Sequence, residues 1–373
     1  MVEFSQLDYR FMSRALRLAE QGRFSAHPNP MVGCVLVKEG KVIGEGWHLK
    51  PGQAHAEVNA LKQAENVRYA TAYVTLEPCC HHGRTGPCTE ALIAAGVSRV
   101  VCAMKDPFVD VAGQGIAQLK QAGIQVDVGL MQEQAEELNR GFLSKVLKKR
   151  PYVRCKMAMT LDGRTAAADG SSQWITSPQA RCDVHKLRAQ SAAIMTGIGT
   201  VLYDDPSLTV RGEDEQLKDL LKQAYFEQPK RIVVDSEFQF PSNASMRSLP
   251  GETWVFTLNS PKTAAQAGLK VIRGERDADG RVNLQDMMRQ LAANDINSVF
   301  VEAGATLSGA LLAEGLVDEW LIYMAPKFLG DEGKGLVSLP GLRNISQHIG
   351  LEITDVRVIG PDLRVTARPK QKE

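Results

Sequence analysis

The sequence predicts two α/β domains in series: a layered α/β/α sandwich, then a second α/β unit with an antiparallel end. Three observations predict it. The chain has 373 residues, and at about 100–200 residues per domain two domains follow. Apolar positions alternate between helical and strand periods along both halves. A charged helical stretch over 132–149 closes on Lys148-Lys149-Arg150-Pro151, after which the pattern restarts. The domains are therefore drawn as 1–147 and 151–370, with the basic cluster as a solvated linker.

In the first half, Phe11, Met12, Ala15, Leu16 and Ala19 recur at helical spacing, and Gly22 ends the run. His27-Pro28-Asn29-Pro30 cannot continue a helix and must be a loop. Segments 32–37 and 41–47 read as strands turned at Glu39-Gly40. A helix over 54–64, a strand over 72–76 and a short helix over 89–95 stopped by Gly96 follow. A strand over 100–104, a helix over 116–122 and a strand over 124–128 complete this half. In the second half, strands are expected at 152–157, 193–195, 231–235, 253–257, 298–301 and 319–324. Helices are expected at 178–189, 284–293 and 307–314, and closing strands at 351–358 and 363–367 turn at Gly360-Pro361.

Apolar residues are 44% and charged residues 23%, ordinary for a soluble globular protein. A net charge of +1 calls for neither nucleic acid nor an anionic membrane. The opening residues lack a basic start with an apolar stretch, and no run of about 18 apolar residues occurs, so a cytoplasmic location is expected. Of seven cysteines, Cys79, Cys80 and Cys88 cluster, which suggests metal binding or catalysis rather than disulfides. Cys34, Cys102, Cys155 and Cys182 read as buried small hydrophobes.

The sharpest signal is His55-Ala56-Glu57, followed by Pro78-Cys79 and Cys88. His-x-Glu with a later Pro-Cys and second Cys is the pattern of zinc nucleobase deaminases, although here eight residues separate the thiols. One imidazole and two thiolates leave a fourth zinc position for water, whose pKa falls to roughly 7. Glu57, at a helix start, is the candidate general acid/base. Cys79 and Cys88 are each expected before a helix start, where backbone N–H groups stabilise thiolate. Cys79 is preferred to Cys80 because Pro78 precedes it. In the second half, Val301-Glu302-Ala303-Gly304 reads as strand then glycine turn, suited to a phosphate. Thr196-Gly197-Ile198-Gly199-Thr200 follows another strand, and neither matches the Gly-x-Gly-x-x-Gly fingerprint. Lys156 lies mid-strand between Cys155 and Met157, where an idle ammonium is costly.

These residues resemble one family over nearly the whole chain. The motifs are His27-Pro28-Asn29-Pro30-Met31-Val32-Gly33, His55-Ala56-Glu57 and the run from Leu76-Glu77-Pro78-Cys79 to Gly86-Pro87-Cys88. Leu161-Asp162-Gly163-Arg164, Gln173-Trp174-Ile175-Thr176, Asp204-Asp205-Pro206-Ser207-Leu208-Thr209-Val210-Arg211 and Val301-Glu302-Ala303-Gly304 continue it. The family is the bifunctional diaminohydroxyphosphoribosylaminopyrimidine deaminase and 5-amino-6-(5-phosphoribosylamino)uracil reductase of riboflavin synthesis. Cys80 stands where the family commonly has Ser, and Gly86 where it has Pro; neither change removes a ligand.

The resemblance implies a cytidine-deaminase-like domain, then a dihydrofolate-reductase-like domain. It implies zinc held by His55, Cys79 and Cys88, with Asn29, His48, His82 and Arg84 around the pyrimidine. It implies NADPH held by Ala158, Trp174, Thr200, Asp204, Ser236, Gly304, Ala305, Thr306, Leu307, Ser308, Gly309 and Ala310. Sugar-phosphate contacts are implied for Ser172, Arg188, Leu208, Arg211 and Glu302, and Lys156 is read as positioning substrate or transferring a proton. The implied chemistry is hydrolytic loss of the 2-amino group, then reduction of ribosyl to ribityl, in a homo-oligomer expected to be a dimer. Two other readings are weighed: a nucleoside or tRNA base deaminase with an accessory second domain, and a non-catalytic module with structural zinc. Near-neutral charge and the second-half motifs oppose the first, and Glu57 opposes the second.

Overall fold

The structure is a computed structural model that describes residues 3–82, 86–108, 112–259 and 268–370. The chain divides into two compact units between Lys149 and Arg150.

The first unit opens with α1 (Gln6–Ala19). Ser5 caps it reciprocally with Asp8, and Phe11, Met12, Ala15, Leu16 and Ala19 form its buried face. β1 (Gly33–Lys38) and β2 (Lys41–Trp47) form the expected hairpin. Then come α2 (Ala56–Gln63), β3 (Thr71–Val74), α3 (Cys88–Ala94), β4 (Arg99–Cys102), α4 (Gln114–Gln121) and β5 (Gln125–Val128). The sheet order is β2-β1-β3-β4-β5. β1 pairs antiparallel with β2 and β3, while β3, β4 and β5 run parallel. Its two faces carry separate cores. One packs α1 on Val35, Tyr73 and Val101; the other packs α2 and the following helices on Cys34, Val74 and Val100. This is the layered sandwich expected.

Two glycines set how closely α2 approaches the sheet. A Cβ at Gly46 would stand 2.3 Å from Ala56 O, and one at Gly44 2.4 Å from Ala60 O. The start of α2 is thereby seated directly on β2.

The stretch 132–149 is not one helix. It breaks at Asn139 into α5 (Gln132–Leu138) and α6 (Arg140–Leu143), then ends in a π-type turn over Ser144–Lys148. The buried Asn139 amide explains the break: Oδ1 accepts Met31 N–H at 2.8 Å and Nδ2 donates to Met31 O at 3.0 Å. It fastens the loop that carries Asn29. Arg150 is no solvated linker residue either, since its guanidinium donates twice to half-buried Asp318, at 2.6 and 2.8 Å.

The second unit contains β6 (Tyr152–Thr160), β7 (Arg164–Ala166), α7 (Pro178–Ala189), β8 (Ala193–Gly197) and α8 (Ile198–Asp204). α9 (Glu215–Leu221), β9 (Lys230–Val234), β10 (Thr253–Thr257), β11 (Leu269–Arg273), α10 (Leu284–Ala293) and β12 (Ser298–Val301) follow. α11 (Ala305–Ala313), β13 (Glu319–Ala325), β14 (Lys334–Gly335), β15 (Leu351–Ile359) and β16 (Asp362–Pro369) close it. The 9-stranded sheet runs β11-β10-β9-β8-β12-β6-β13-β16-β15. It is parallel from β11 through β13, and β13, β16 and β15 are antiparallel. β8, α8, α9 and β9 to β11 build outward on one side, whereas β12 returns beside β6 and β13 passes to its far side. Strand order therefore reverses around β8 and β12, and ligands bind open α/β sheets at the carboxyl ends of strands at such a reversal.

Candidate functional site

In the first unit, His55 is the extended N-cap of α2 and Glu57 lies in the first turn. His55 precedes the helical dihedrals, which lets side chains two positions apart converge. Cys88 is the first residue of α3. Cys79, expected before a helix, lies instead in the loop after β3. Its sulfur still accepts a backbone N–H, that of Cys88 at 3.4 Å. Glu77 steadies this loop: its buried carboxylate accepts the N–H groups of Asp106, Gly113 and Ile116 at 3.2, 3.0 and 3.1 Å.

The ligand atoms of His55, Cys79 and Cys88 all lie within 4.8 Å of one another. His55 Nδ1 is 3.5 Å from Cys79 Sγ and 3.3 Å from Cys88 Sγ. Tetrahedral zinc with bonds of about 2.3 Å to sulfur and about 2.05 Å to nitrogen would separate such atoms by about 3.5 Å. The donor set therefore fits zinc, and among the described residues it holds three ligands, as a site open to water does. Hydrogen bonding from Cys88 and then His55 draws the Cys79 thiol well below its ordinary range. Burial pushes the Glu57 carboxyl up, the direction a group that must carry a proton requires.

His48 is buried against this cluster, its ring edge-on to His55 with centroids 5.3 Å apart. Asn29 Nδ2 lies 3.0 Å from His48 Nε2, and His48 Nδ1 lies 3.4 Å from Ala54 O. These partners assign the proton to Nδ1 in a neutral ring, and burial lowers the pKa of His48 accordingly. Asn29 and His48 are thus brought to the triad. His82 is exposed and faces Glu90 at 3.3 Å, while Arg84 lies outside the described residues.

In the second unit, Arg154, Lys156 and Ala158 alternate with the core residues Val153, Cys155 and Met157, so they face α7. Lys156 Nζ stands 5.9 Å from the Tyr323 ring centroid. Glu302, just past β12, meets Arg188 of α7: Arg188 Nε donates to Oε1 at 2.5 Å and Nη2 to Oε2 at 2.9 Å. Arg188 Nη1 also donates to Thr209 O at 2.9 Å, which draws in the segment bearing Leu208 and Arg211. Burial lowers the Lys156 pKa, opposed by Glu302 and aided by Arg188.

The expected cofactor residues line the carboxyl ends of the parallel strands. Ala158 is on β6, Thr200 and Asp204 are on α8, and Ser236 follows β9. Gly304 caps α11 without a side-chain hydrogen bond, and a Cβ there would meet nothing within 4 Å. Gly197 at the end of β8 and Gly304 after the neighbouring β12 lie at the reversal of strand order. A bare helix N-terminus beside glycine turns fits a dinucleotide's phosphates. Within the α11 segment, Gly304 and Thr306 are exposed, while Ser308 and Gly309 are buried. A Cβ on Gly309 would lie 2.0 Å from Ser338 O, so this glycine serves close packing. Ser236 Oγ is engaged by Val282 N–H at 3.0 Å. Trp174 is exposed, stacked 4.6 Å from the Arg181 guanidinium, and half-buried Ser172 lies in the same loop.

Sequence reasoning missed Glu77, Asn139, His185 and Gln228. His185 had a signal: it lies three residues before Arg188 on one helix, hence on the same face. Cys182, read as a buried hydrophobe, is half-buried and donates to Asp214 at 3.3 Å.

Residues 5–104 match the cytidine and deoxycytidylate deaminase zinc-binding region, and residues 151–365 match the RibD C-terminal domain. The chain is 50% identical over 359 residues to the riboflavin biosynthesis protein RibD of Escherichia coli (strain K12), covering 95% of this chain and 98% of that protein. It is 45% identical over 379 residues to that of Haemophilus influenzae, covering 99% and 100%. The solved structure of Acinetobacter baumannii RibD, form 1, agrees with a TM-score of 0.91 at 41% identity, over 98% of this chain and 99% of that one. A Thermotoga maritima structure described as a diaminohydroxyphosphoribosylaminopyrimidine deaminase/5-amino-6-(5-phosphoribosylamino)uracil reductase agrees at 0.85 and 34%, over 98% and 99%. With a zinc-binding deaminase region of the cytidine deaminase type ahead of a reductase domain, the chain belongs to the RibD family of riboflavin biosynthesis proteins.

Proposed function

We propose that this protein removes the 2-amino group of 2,5-diamino-6-ribosylamino-4(3H)-pyrimidinone 5′-phosphate and then reduces its ribosyl group, yielding 5-amino-6-ribitylamino-uracil 5′-phosphate. Residues 1–147 form the deaminase and residues 151–370 the reductase. The observation that carries the reading is the convergence of His55, Cys79 and Cys88 beside buried Glu57.

Zinc, when bound by His55, Cys79 and Cys88, supplies the Lewis acidity that activates water near neutral pH. Glu57 takes the water proton as oxygen bonds to C2, then gives it to the departing ammonia. Asn29 and His48, already joined at 3.0 Å, hold the pyrimidine, with His82 and Arg84 at the border. In the reductase, NADPH supplies the hydride chemistry. Ala158, Trp174, Thr200, Asp204, Ser236 and residues 304–310 seat it, with the buried members acting through packing. Arg188, Arg211, Glu302, Ser172 and Leu208 place the sugar phosphate. Lys156 supplies a proton to the ring oxygen as the bond to C1′ opens.

The second unit matches a reductase domain of its own, which disfavours an accessory role beside a nucleic-acid deaminase. A cytoplasmic location is part of this reading. Among the described residues no helix is long and apolar enough to cross a membrane. The edge strand β15 exposes Ile353 and Val358 by 63% and 74%, which supports a homodimer through this unit. Sedimentation of wild type and Val358→Asp tests that assembly. The function is tested by following ammonia release and then NADPH oxidation on the diamino substrate. Purified protein that contains zinc yet releases no ammonia would overturn the deaminase assignment.

A further inference from the structure

Three consecutive residues of the reductase unit, Thr209, Val210 and Arg211, are each held by a different side chain. Arg188 Nη1 donates to Thr209 O at 2.9 Å. Gln228 brackets Val210, accepting its N–H at 2.8 Å and donating to its carbonyl at 3.0 Å. His185 Nδ1 accepts the Arg211 N–H at 3.2 Å. The segment follows Asp205 and Leu208, whose φ values of 40° and 45° lie in the left-handed region. Such backbone persists at non-glycine residues only when surrounding contacts impose it.

The Arg211 side chain contrasts with its fastened backbone. It is 54% exposed, and its nearest acceptor is distant, Glu213 at 3.5 Å; His185 Nε2, 3.4 Å away, carries the ring proton and accepts nothing from it. Contacts at the long limit of hydrogen bonding leave the guanidinium fork free for an anion. Arg188 is otherwise committed, with Nε and Nη2 on Glu302 and Nη1 on Thr209.

We infer that His185 is a positioning residue of the reductase: it fixes the Arg211 main chain so that the free guanidinium meets the substrate's phosphate. This rests on the reading of Arg211 as a phosphate contact. The ring must be neutral to do so, with the proton on Nε2, which faces Glu213 at 3.5 Å. Burial, then Arg188 and Arg211, push its pKa down to about 4, against Glu302 and the Thr209 backbone, so the acceptor persists through the neutral range. His185 shares the Arg188 face of α7, and the fold shows what its Nδ1 holds.

The test uses the full-length protein and the deaminated, phosphorylated substrate, with NADPH oxidation as readout. His185→Ala, His185→Asn and Arg211→Ala are compared; Asn keeps an acceptor near the Nδ1 position. The expected result for His185→Ala is a KM for the phosphorylated substrate raised about tenfold, the worth of one lost hydrogen bond that orients a charge contact. Its kcat stays within about twofold, and ammonia release by the other domain is unchanged. His185→Asn recovers most of the KM. The phosphate-free analogue shows no difference between wild type and His185→Ala. If Arg211→Ala raises KM and His185→Ala does not, the positioning role is wrong. The same holds if His185→Asn is no better than His185→Ala, or if kcat falls with KM unchanged. If Arg211→Ala itself leaves KM unchanged, the phosphate assignment of Arg211 fails instead.

Discussion

Arg188 and Glu302 are joined by two parallel hydrogen bonds, of 2.5 and 2.9 Å, that tie α7 to the end of β12. Their side chains are 13% and 14% exposed. Burial alone would lower the pKa of Arg188 and raise that of Glu302; their pairing reverses both directions. The pair locks the helix bearing Arg188 to the strand end bearing Glu302.

Glu302→Gln leaves the shape but removes the charge that compensates Arg188. Breaking a buried pair from one side costs about 3–5 kcal/mol, because the remaining charge stays desolvated. The expected outcome is a loss of about 3 kcal/mol in the reductase unit, read by denaturant unfolding. NADPH oxidation should fall at least about tenfold, with ammonia release unchanged. Equal stability of variant and wild type would contradict this account of the buried pair.

How much of this was legible in the sequence depends on where each signal resides. The zinc ligands were legible because their chemistry sits in short motifs, and a sulfur or imidazole keeps its identity whatever the loop does. The elements over 178–189 and 284–293 were legible because their apolar periods are local. β11 was missed because Leu269-Lys270-Val271-Ile272-Arg273 mixes charge into an edge strand. α9 was missed because four of the seven residues in Glu215-Gln216-Leu217-Lys218-Asp219-Leu220-Leu221 are polar, and only Leu217 and Leu220 are buried. The break at Asn139 depends on Met31, 108 residues away, which no local period reports. The reversal of strand order between β8 and β12 is a property of topology, and local periods carry no strand order.

In the proposed reaction Glu57 transfers protons, while His55, Cys79 and Cys88 hold the metal. Glu57→Gln is therefore expected to cut ammonia release by about 10²–10⁴ while zinc content stays at the wild-type level. Metal analysis beside the ammonia assay reads both. Reduction of independently deaminated substrate should be untouched.

In the proposed site Cys88 lends its sulfur to zinc from the start of α3, where its N–H also reaches Cys79 Sγ at 3.4 Å. Cys88→Ser replaces a soft ligand with a hydroxyl and is expected to lose zinc and ammonia release together. Treatment of wild type with a chelator should do the same and be reversed by added zinc. NADPH oxidation on deaminated substrate should survive both treatments, since the metal-binding residues all belong to the first unit.

Lys156 sets the expected alkaline limit of the reductase. Burial lowers its pKa from 10.5, with Arg188 adding to the shift and Glu302 opposing it. The sign follows from which state keeps the proton: the unfolded chain holds it up to 10.5, while the folded protein releases it earlier. The buried ammonium thus costs stability below the folded pKa, and that cost disappears as pH rises toward 10.5. Activity runs the other way, because the ammonium is the form that can give a proton to the opening sugar. In wild type, kcat/KM for NADPH oxidation should decline along an alkaline limb that begins below 10.5. Lys156→Ala should lose about 10²–10³ at pH 7 and show no such limb. Lys156→Arg, which stays charged throughout, should be slow but flat over the same range. A limb that persists unchanged in Lys156→Arg would assign the titration to another group and remove Lys156 from the proton-transfer step.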